Sequence, residues 1–185
     1  MANCCVIGLG YIGLPTAAVL ASNGHNVTGV DINESIVSEI NKGNVHIVEP
    51  ELDDIVKQLV QDQKLSASLL PIESDVYIIT VPTPFRNNES SIPEPNIDYV
   101  IDAAKSIIPL LRPGNLIILE STSPVGTTEK IASLIFENTN FNELEINIIY
   151  CPERVIPGRI IYELINNDRV IGGFTEKAAK IGKDF

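Results

Sequence analysis

The sequence predicts an α/β domain of the doubly wound type with a mostly parallel sheet, and three observations carry that prediction. A glycine-rich run, Gly8-Leu9-Gly10-Tyr11-Ile12-Gly13, follows directly on the apolar stretch Cys4 to Ile7. Further on, short apolar stretches alternate with longer segments whose apolar residues recur at helical spacing. The short stretches are apolar throughout rather than at every second residue, which is what strands covered on both faces require.

Each element has its own warrant. After the first strand, a helix opens near Tyr11 with Ala17, Leu20 and Ala21 on its apolar face. Pro15 is tolerated there because the first N–H groups of a helix lack partners in any case. Val27 to Asp31 is the second strand, and Asn33 caps a helix that runs to Lys42 and stops at Gly43. Pro50 to Gln61 reads as a helix through Leu52, Ile55, Val56 and Leu59, and Leu65 to Ser68 as a short strand. Asp75 to Val81 is a buried strand ended by Pro82-Thr83-Pro84, since consecutive prolines cannot continue a ladder. Phe85 to Asn96 is loop, and Asn96 to Leu111 is the most regularly amphipathic helix. The strand Leu116 to Leu119, the helix Thr127 to Asn138 and the strand Ile146 to Tyr150 follow. Val170-Ile171 reads as a last short strand before a helix opening at Thr175.

Strand, glycine run, helix, second strand and terminal acid occur in the order a dinucleotide clamp needs. The first glycine permits a tight turn, the second lets backbone approach a pyrophosphate, and the third lets helix and strand pack closely. Gly8, Gly10 and Gly13 fill those three places, with Tyr11 and Ile12 between them. A lone match of this kind also occurs as a simple tight turn. Here Asp31, eighteen residues past Gly13, stands where a ribose diol would be gripped. A carboxylate there repels a 2′-phosphate, and no Arg follows within Ile32-Asn33-Glu34, so the cofactor is expected to be NAD rather than NADP.

Composition excludes several classes. The 185 residues, 44% hydrophobic, suffice for one core and one domain. A net charge of −11 opposes nucleic acid, whose binding needs clustered cations, and an anionic membrane surface. The chain enters its first strand without the basic and apolar regions of a signal peptide, so a cytoplasmic location is expected. Cys4, Cys5 and Cys151 have neither zinc nor disulfide spacing and read as buried thiols. His25 and His46 read as loop residues, and no metal site is expected.

In an open α/β sheet ligands sit beyond the carboxyl ends of the strands. Three segments there carry candidate chemistry. Thr83, between two prolines, is either part of a rigid turn or a cofactor contact. Glu120 to Glu129 holds five hydroxyls, at Ser121, Thr122, Ser123, Thr127 and Thr128. Gly126 and Glu129 could do much of the helix capping alone, so the surplus points to a ligand or a catalytic water. Glu153-Arg154 is either a surface ion pair or a general base beside a group for substrate oxygens. Cys151, with no neighbouring His, reads as structural rather than nucleophilic.

With these segments in view, the chain resembles the UDP-glucose/GDP-mannose dehydrogenase family over nearly its whole length. The shared strings are GLGYIGLPTA from Gly8, VDIN from Val30, HIVEPEL from His46, VPTPF from Val81, ESTSPVGTTEK from Glu120, CPERVIPG from Cys151 and ELINNDRVIGG from Glu163. CPERV and NDRVIGG are most similar to the branch acting on UDP-N-acetyl-D-mannosamine. The resemblance implies a Rossmann fold and an NAD-dependent four-electron oxidation of the sugar's primary alcohol to a carboxylate, within surface polysaccharide synthesis. It implies NAD contacts from Tyr11, Ile12, Asp31, Thr83 and Thr128. It also implies that Thr122 holds a catalytic water, that Glu153 assists thioester hydrolysis, and that Arg154 and Val155 meet a UDP-sugar. Pro157 stands where the UDP-glucose branch has a second Glu, which favours an acetamido sugar. The family's nucleophilic Cys and its catalytic Lys and Asn, the latter two on a central helix that makes a homodimer, lie in motifs these residues do not contain. The expectation is therefore a single NAD-binding domain over 1–185, with 175–185 opening a helix that is cut short, and no turnover by the chain alone. A 3-hydroxyacid-type dehydrogenase and a stand-alone NAD-binding regulatory module are the alternatives; the first leaves ESTSPVGTTE and CPERV unexplained.

Overall fold

A computed structural model describes residues 1–86 and 93–185. Part of the Phe85 to Asn96 loop, residues 87–92, lies outside the described residues. The strands are β1 (Asn3–Ile7), β2 (Asn26–Val30), β3 (Leu65–Ser68), β4 (Val76–Ile79), β5 (Leu116–Leu119), β6 (Asn147–Tyr150) and β7 (Gly172–Gly173). The helices are α1 (Gly13–Ser22), α2 (Glu34–Asn41), α3 (Leu52–Gln61), α4 (Asp98–Ile107), α5 (Thr127–Asn138), α6 (Ile160–Asn166) and α7 (Glu176–Asp184). They build one seven-stranded sheet in the order β3-β2-β1-β4-β5-β6-β7. Every pairing is parallel except that of β7 with β6.

Because side chains alternate along a strand, β1 sends Cys4 and Val6 into one core layer and Cys5 and Ile7 into the other. The first layer is filled by α1, α3, α6 and α7, through residues such as Leu14, Leu52, Ile161 and Ala178. The second is filled by α4 and α5 through Val100, Ile107, Ile131 and Ile135. All four residues of β4 and all four of β5 are buried, each such aliphatic side chain contributing ~1.5–3 kcal/mol. All three cysteines are buried. Among the described residues no helix is long and apolar enough to cross a membrane.

Several boundaries differ from the sequence reading, each for a local reason. Residues 10–12 form the glycine turn itself, so α1 opens at Gly13 rather than Tyr11. Glu51 adopts a left-handed φ of 67°, which delays α3 to Leu52. The long amphipathic helix ends at Ile107 and tightens into a 3₁₀ turn at Ile108–Leu110, around Pro109. The last strand is Gly172–Gly173 rather than Val170-Ile171. Gly173 lies so close to α7 that an added Cβ would sit 2.4 Å from Ala179 N, and Val170 is exposed instead.

The sequence reading has no counterpart for α6. Its start is fixed from a distance by Glu49, a buried carboxylate that accepts from Gly158 N at 2.8 Å and Ile160 N at 2.5 Å. Glu163, one turn on, accepts from Ile156 N at 2.9 Å. The HIVEPEL segment thus anchors the CPERVIPG segment. Replacing Glu49 with Ala should lower unfolding free energy by ~1.5–3 kcal/mol in urea, the value of charge-assisted bonds to buried donors. Amide exchange at Gly158 and Ile160 should quicken at the same time. Unchanged exchange at both would show that Glu49 does not hold this loop.

Candidate functional site

The sheet order reverses between β1 and β4, which is where an open α/β sheet leaves a crevice for ligand. The glycine run lies across it. Gly8 takes a φ of +96°, and a Cβ there would lie 3.0 Å from Thr80 O. Gly13 is tighter, since a Cβ would lie 1.7 Å from Gly8 O and 2.5 Å from Thr80 Oγ1. Thr80, which the sequence reading passed over as strand, donates its hydroxyl to Gly8 O at 2.7 Å and Ile7 O at 2.9 Å. Gly10 is the opposite case: a Cβ would meet nothing within 4 Å. That open space leaves room for a ligand to come close to backbone. The N–H groups of Tyr11, Ile12 and Gly13 find no acceptor among the described residues, so the α1 end is a ready anion site. Asp31, at the end of β2, accepts from Leu9 N at 3.0 Å through Oδ2 and from Asn33 N at 2.9 Å through Oδ1. Its carboxylate is thereby held beside the glycine turn with lone pairs to spare. The residues present fit a dinucleotide.

The other segments meet over β4, β5 and β6. Thr83 Oγ1 donates to Thr122 O at 2.6 Å, joining the turn after β4 to the turn after β5. Thr122 Oγ1 lies 3.5 Å from Glu153 Oε1, a long contact that joins the turn after β5 to that after β6. Glu153 Oε2 is buried with no partner among the described residues. Burial is the main cause that pushes the Glu153 carboxyl up from its ordinary range, and the Glu120 carboxylate adds to it. Arg154 is exposed and forms no ion pair with Glu153, and Val155 is half-buried. The surface ion pair considered for Glu153-Arg154 is therefore not formed.

The surplus of hydroxyls after β5 is smaller than the sequence suggests. Ser121 donates to Val81 O at 2.7 Å, Ser123 to Ser121 O at 3.0 Å and Thr127 to Pro124 O at 2.7 Å. These three brace the turn, leaving Thr122 and Thr128 for a ligand. Nor does Glu129 cap α5: the N-cap is Gly126, at a left-handed φ of 89°, with no side-chain cap bond. Thr128 is half-buried and lines a cleft with Ser123, Val125, Glu129 and Tyr150. Tyr11 is 54% exposed at the outer side of the glycine turn.

Glu120, Arg169 and Thr16 are charged or polar groups that sequence reasoning left unassigned. Glu120 is 1% exposed and takes Arg169 Nη2 at 2.5 Å and Thr16 Oγ1 at 3.0 Å. The available signal was an acid ending the continuously apolar strand Leu116 to Leu119, where only a paired carboxylate is tolerated.

Fold, glycine turn and Asp31 together define a dinucleotide-binding domain of the Rossmann type, with a second polar cluster at the ends of neighbouring strands. The chain belongs to the UDP-glucose/GDP-mannose dehydrogenase family, whose NAD binding domain matches residues 2–185. It is 53% identical over 184 residues to a UDP-N-acetyl-D-mannosamine dehydrogenase of Campylobacter jejuni, covering 95% of this chain and 44% of the relative. Among solved structures, the UDP-N-acetyl-mannosamine dehydrogenase of S. aureus superposes with a TM-score of 0.93 at 41% identity, over 98% of this chain and 43% of that one. A UDP-D-ManNAc dehydrogenase from Pyrococcus horikoshii gives 0.91 at 40% identity, over 98% and 43%. The chain thus spans less than half the length of these relatives.

Gly10→Ala should leave stability within ~0.5 kcal/mol of the parent yet weaken NAD at least about tenfold in a calorimetric titration. Gly13→Ala should cost about 3 kcal/mol of stability, because the clash is with backbone. NADP should bind more weakly than NAD in the same titration, and the reverse order would remove Asp31 from the ribose. A folded state that keeps the Glu153 proton beyond the ordinary carboxylate range gains from it at low pH, and loses that gain as pH rises through the raised value. Glu153→Gln should therefore gain stability relative to the parent as pH rises from the ordinary carboxylate value, about 4.3, through the raised one. A difference that stays flat over that range would deny the raised value.

Proposed function

We propose that this chain is the NAD-binding domain of a nucleotide-sugar 6-dehydrogenase that oxidises UDP-N-acetyl-D-mannosamine to UDP-N-acetyl-D-mannosaminuronate with two NAD. The observation that carries the reading is the contact of Thr122 with Glu153 at strand ends next to the dinucleotide turn. The 53% identity to the Campylobacter jejuni enzyme supports the choice of sugar.

Bound NAD supplies the hydride acceptor, twice per sugar, while water supplies the second carboxylate oxygen. The Gly10 to Gly13 backbone and the α1 dipole would hold the pyrophosphate, Asp31 the ribose diol, and Tyr11 and Ile12 the flanks of the turn. Thr83 and Thr128 would add hydroxyl contacts to the same ligand. Thr122 would hold a water against Glu153, whose unpartnered Oε2 is free to accept its proton. A carboxyl held above its ordinary range is the stronger base for that transfer. Arg154 presents its guanidinium to solvent at the same rim, where it and Val155 would meet the nucleotide sugar. In the longer protein we assign the family's thiol nucleophile, and homodimerisation through the central helix, to residues outside this domain.

The 185 residues alone should bind NAD saturably and form no NADH with UDP-N-acetyl-D-mannosamine; measurable NADH would overturn the second half. Grafted in place of the matching segment of the Campylobacter jejuni enzyme, the domain should support oxidation of UDP-N-acetyl-D-mannosamine. In that graft Glu153→Gln should cut kcat by ~10²–10⁴-fold, the usual worth of a general base. A graft that prefers UDP-glucose would refute the sugar assignment.

A further inference from the structure

We propose that Arg169 is a positioning residue for Glu153, acting through the buried Glu120 to hold the end of β6 against β5 and the dinucleotide helix. This rests on the reading of Glu153 given above. Arg169 Nη2 reaches Glu120 Oε1 at 2.5 Å and the carbonyl of Cys151 at 3.3 Å, two residues before Glu153. Cys151 N in turn donates to Leu119 O at 3.0 Å, one residue before Glu120. The ends of β5 and β6 are thus tied twice, by backbone and by guanidinium. The second carboxylate oxygen of Glu120 accepts from Thr16 of α1 at 3.0 Å, so the same hub reaches the helix whose first turn receives the dinucleotide.

Stability alone does not account for this cluster. Desolvating two charges offsets most of their attraction, and well-packed apolar replacements are often neutral or stabilising. What an apolar replacement would not reproduce is the set of directions. One nitrogen, Arg169 Nη2, fixes a carboxylate and a carbonyl together. Burial works against the charge on Arg169, but Glu120 outweighs it and holds the guanidinium above its ordinary value.

The pair also acts on Glu153 with opposite signs. Among the described residues the charged groups acting on Glu153 are Glu120, which pushes its carboxyl up, and Arg169, which draws it down; the Thr122 hydroxyl also draws it down. Losing Arg169 and losing Glu120 then move the proton affinity of Glu153 in opposite directions, with the loss of both falling between. Simple loosening of the loop predicts no such antisymmetry.

The test is a pH titration of the Glu153 side-chain carboxyl carbon by NMR in the 185-residue chain. Arg169→Met should raise the Glu153 midpoint and Glu120→Gln lower it. The double variant should fall between the two single ones, and Arg169→Lys, which keeps the charge, should bring the midpoint most of the way back to the parent's. Should Arg169→Met fail to fold because it strands a buried carboxylate, Glu120→Gln and the double variant decide the matter, neither leaving a buried anion. Glu120→Gln lowered with the double variant above it supports the proposal. Midpoints that stay put, or that move together in every folded variant, overturn it. No substrate or turnover enters the measurement, so a Glu153 that proved dispensable for oxidation would refute the functional reading and leave this outcome intact.

Discussion

The first turn of α1 presses on the carbonyl of Gly8, and the position of everything that could hold a dinucleotide follows from that contact. A Cβ at Gly13 would lie 1.7 Å from Gly8 O, so only hydrogen permits the approach. The same carbonyl is gripped from the neighbouring strand by Thr80 Oγ1 at 2.7 Å. Helix, β1 and β4 are therefore joined at one atom, at the place where the strand order reverses. A helix seated farther out would aim its free N–H groups away from the crevice and leave a gap lined by Leu9 and Leu14, both fully buried. Close packing and anion binding are here the same requirement, because the dipole acts only over its first turn.

The other half of the site is built differently. Its parts are side chains after β4 and β5 and in the segment before β7, bonded across to one another: Thr83 to the Thr122 carbonyl, Ser121 to the Val81 carbonyl, Arg169 to Glu120. Individually such bonds contribute only ~0.5–1.5 kcal/mol, somewhat more where charge is involved. At these strand ends they leave one buried oxygen without a partner among the described residues, Oε2 of Glu153; Asn147 Oδ1, at the other end of β6, is a second. Leaving a buried polar atom unmade costs ~1–3 kcal/mol, and folded proteins do so rarely. Glu49, Glu120 and Glu163 are bonded to donors, while Glu153 keeps one oxygen open to a water or a ligand.

The order of elements was legible because it rests on local rules. Apolar runs marked β1, β4, β5 and β6, and Asn33, Gly43 and Thr175 marked helix ends by chemistry that acts within a few residues. The nucleotide half of the candidate site was legible for the same reason, since Gly8 to Asp31 is one uninterrupted stretch. The parts that escaped all depend on partners far along the chain. α6 starts where Glu49 reaches across 109 positions to Gly158 N, and nothing within CPERVIPG announces a helix. Arg169 meets Glu120 across 49 positions and Thr16 meets it across 104. The hydroxyl count after β5 misled because Ser121, Ser123 and Thr127 bond backbone carbonyls of the turn and its neighbours, a use that composition cannot separate from ligand binding.

The charge of the chain makes the geometry of the glycine turn stricter than the motif alone implies. With a net charge of −11, the long-range field repels a pyrophosphate and a nucleotide sugar alike. No Lys or Arg precedes Lys42, so the dinucleotide half meets its anion without a cation of its own. What remains is about half a positive charge at the α1 end and the unpartnered N–H groups of Tyr11, Ile12 and Gly13. Such groups act only at hydrogen-bond distance, so the ligand must come into contact with backbone, and Gly10 leaves the room for it. The Asp31 carboxylate beside the turn adds a local repulsion against any further phosphate at that position. In an acidic domain the absence of a side chain at Gly10 thus does the work that a lysine would do in a basic one.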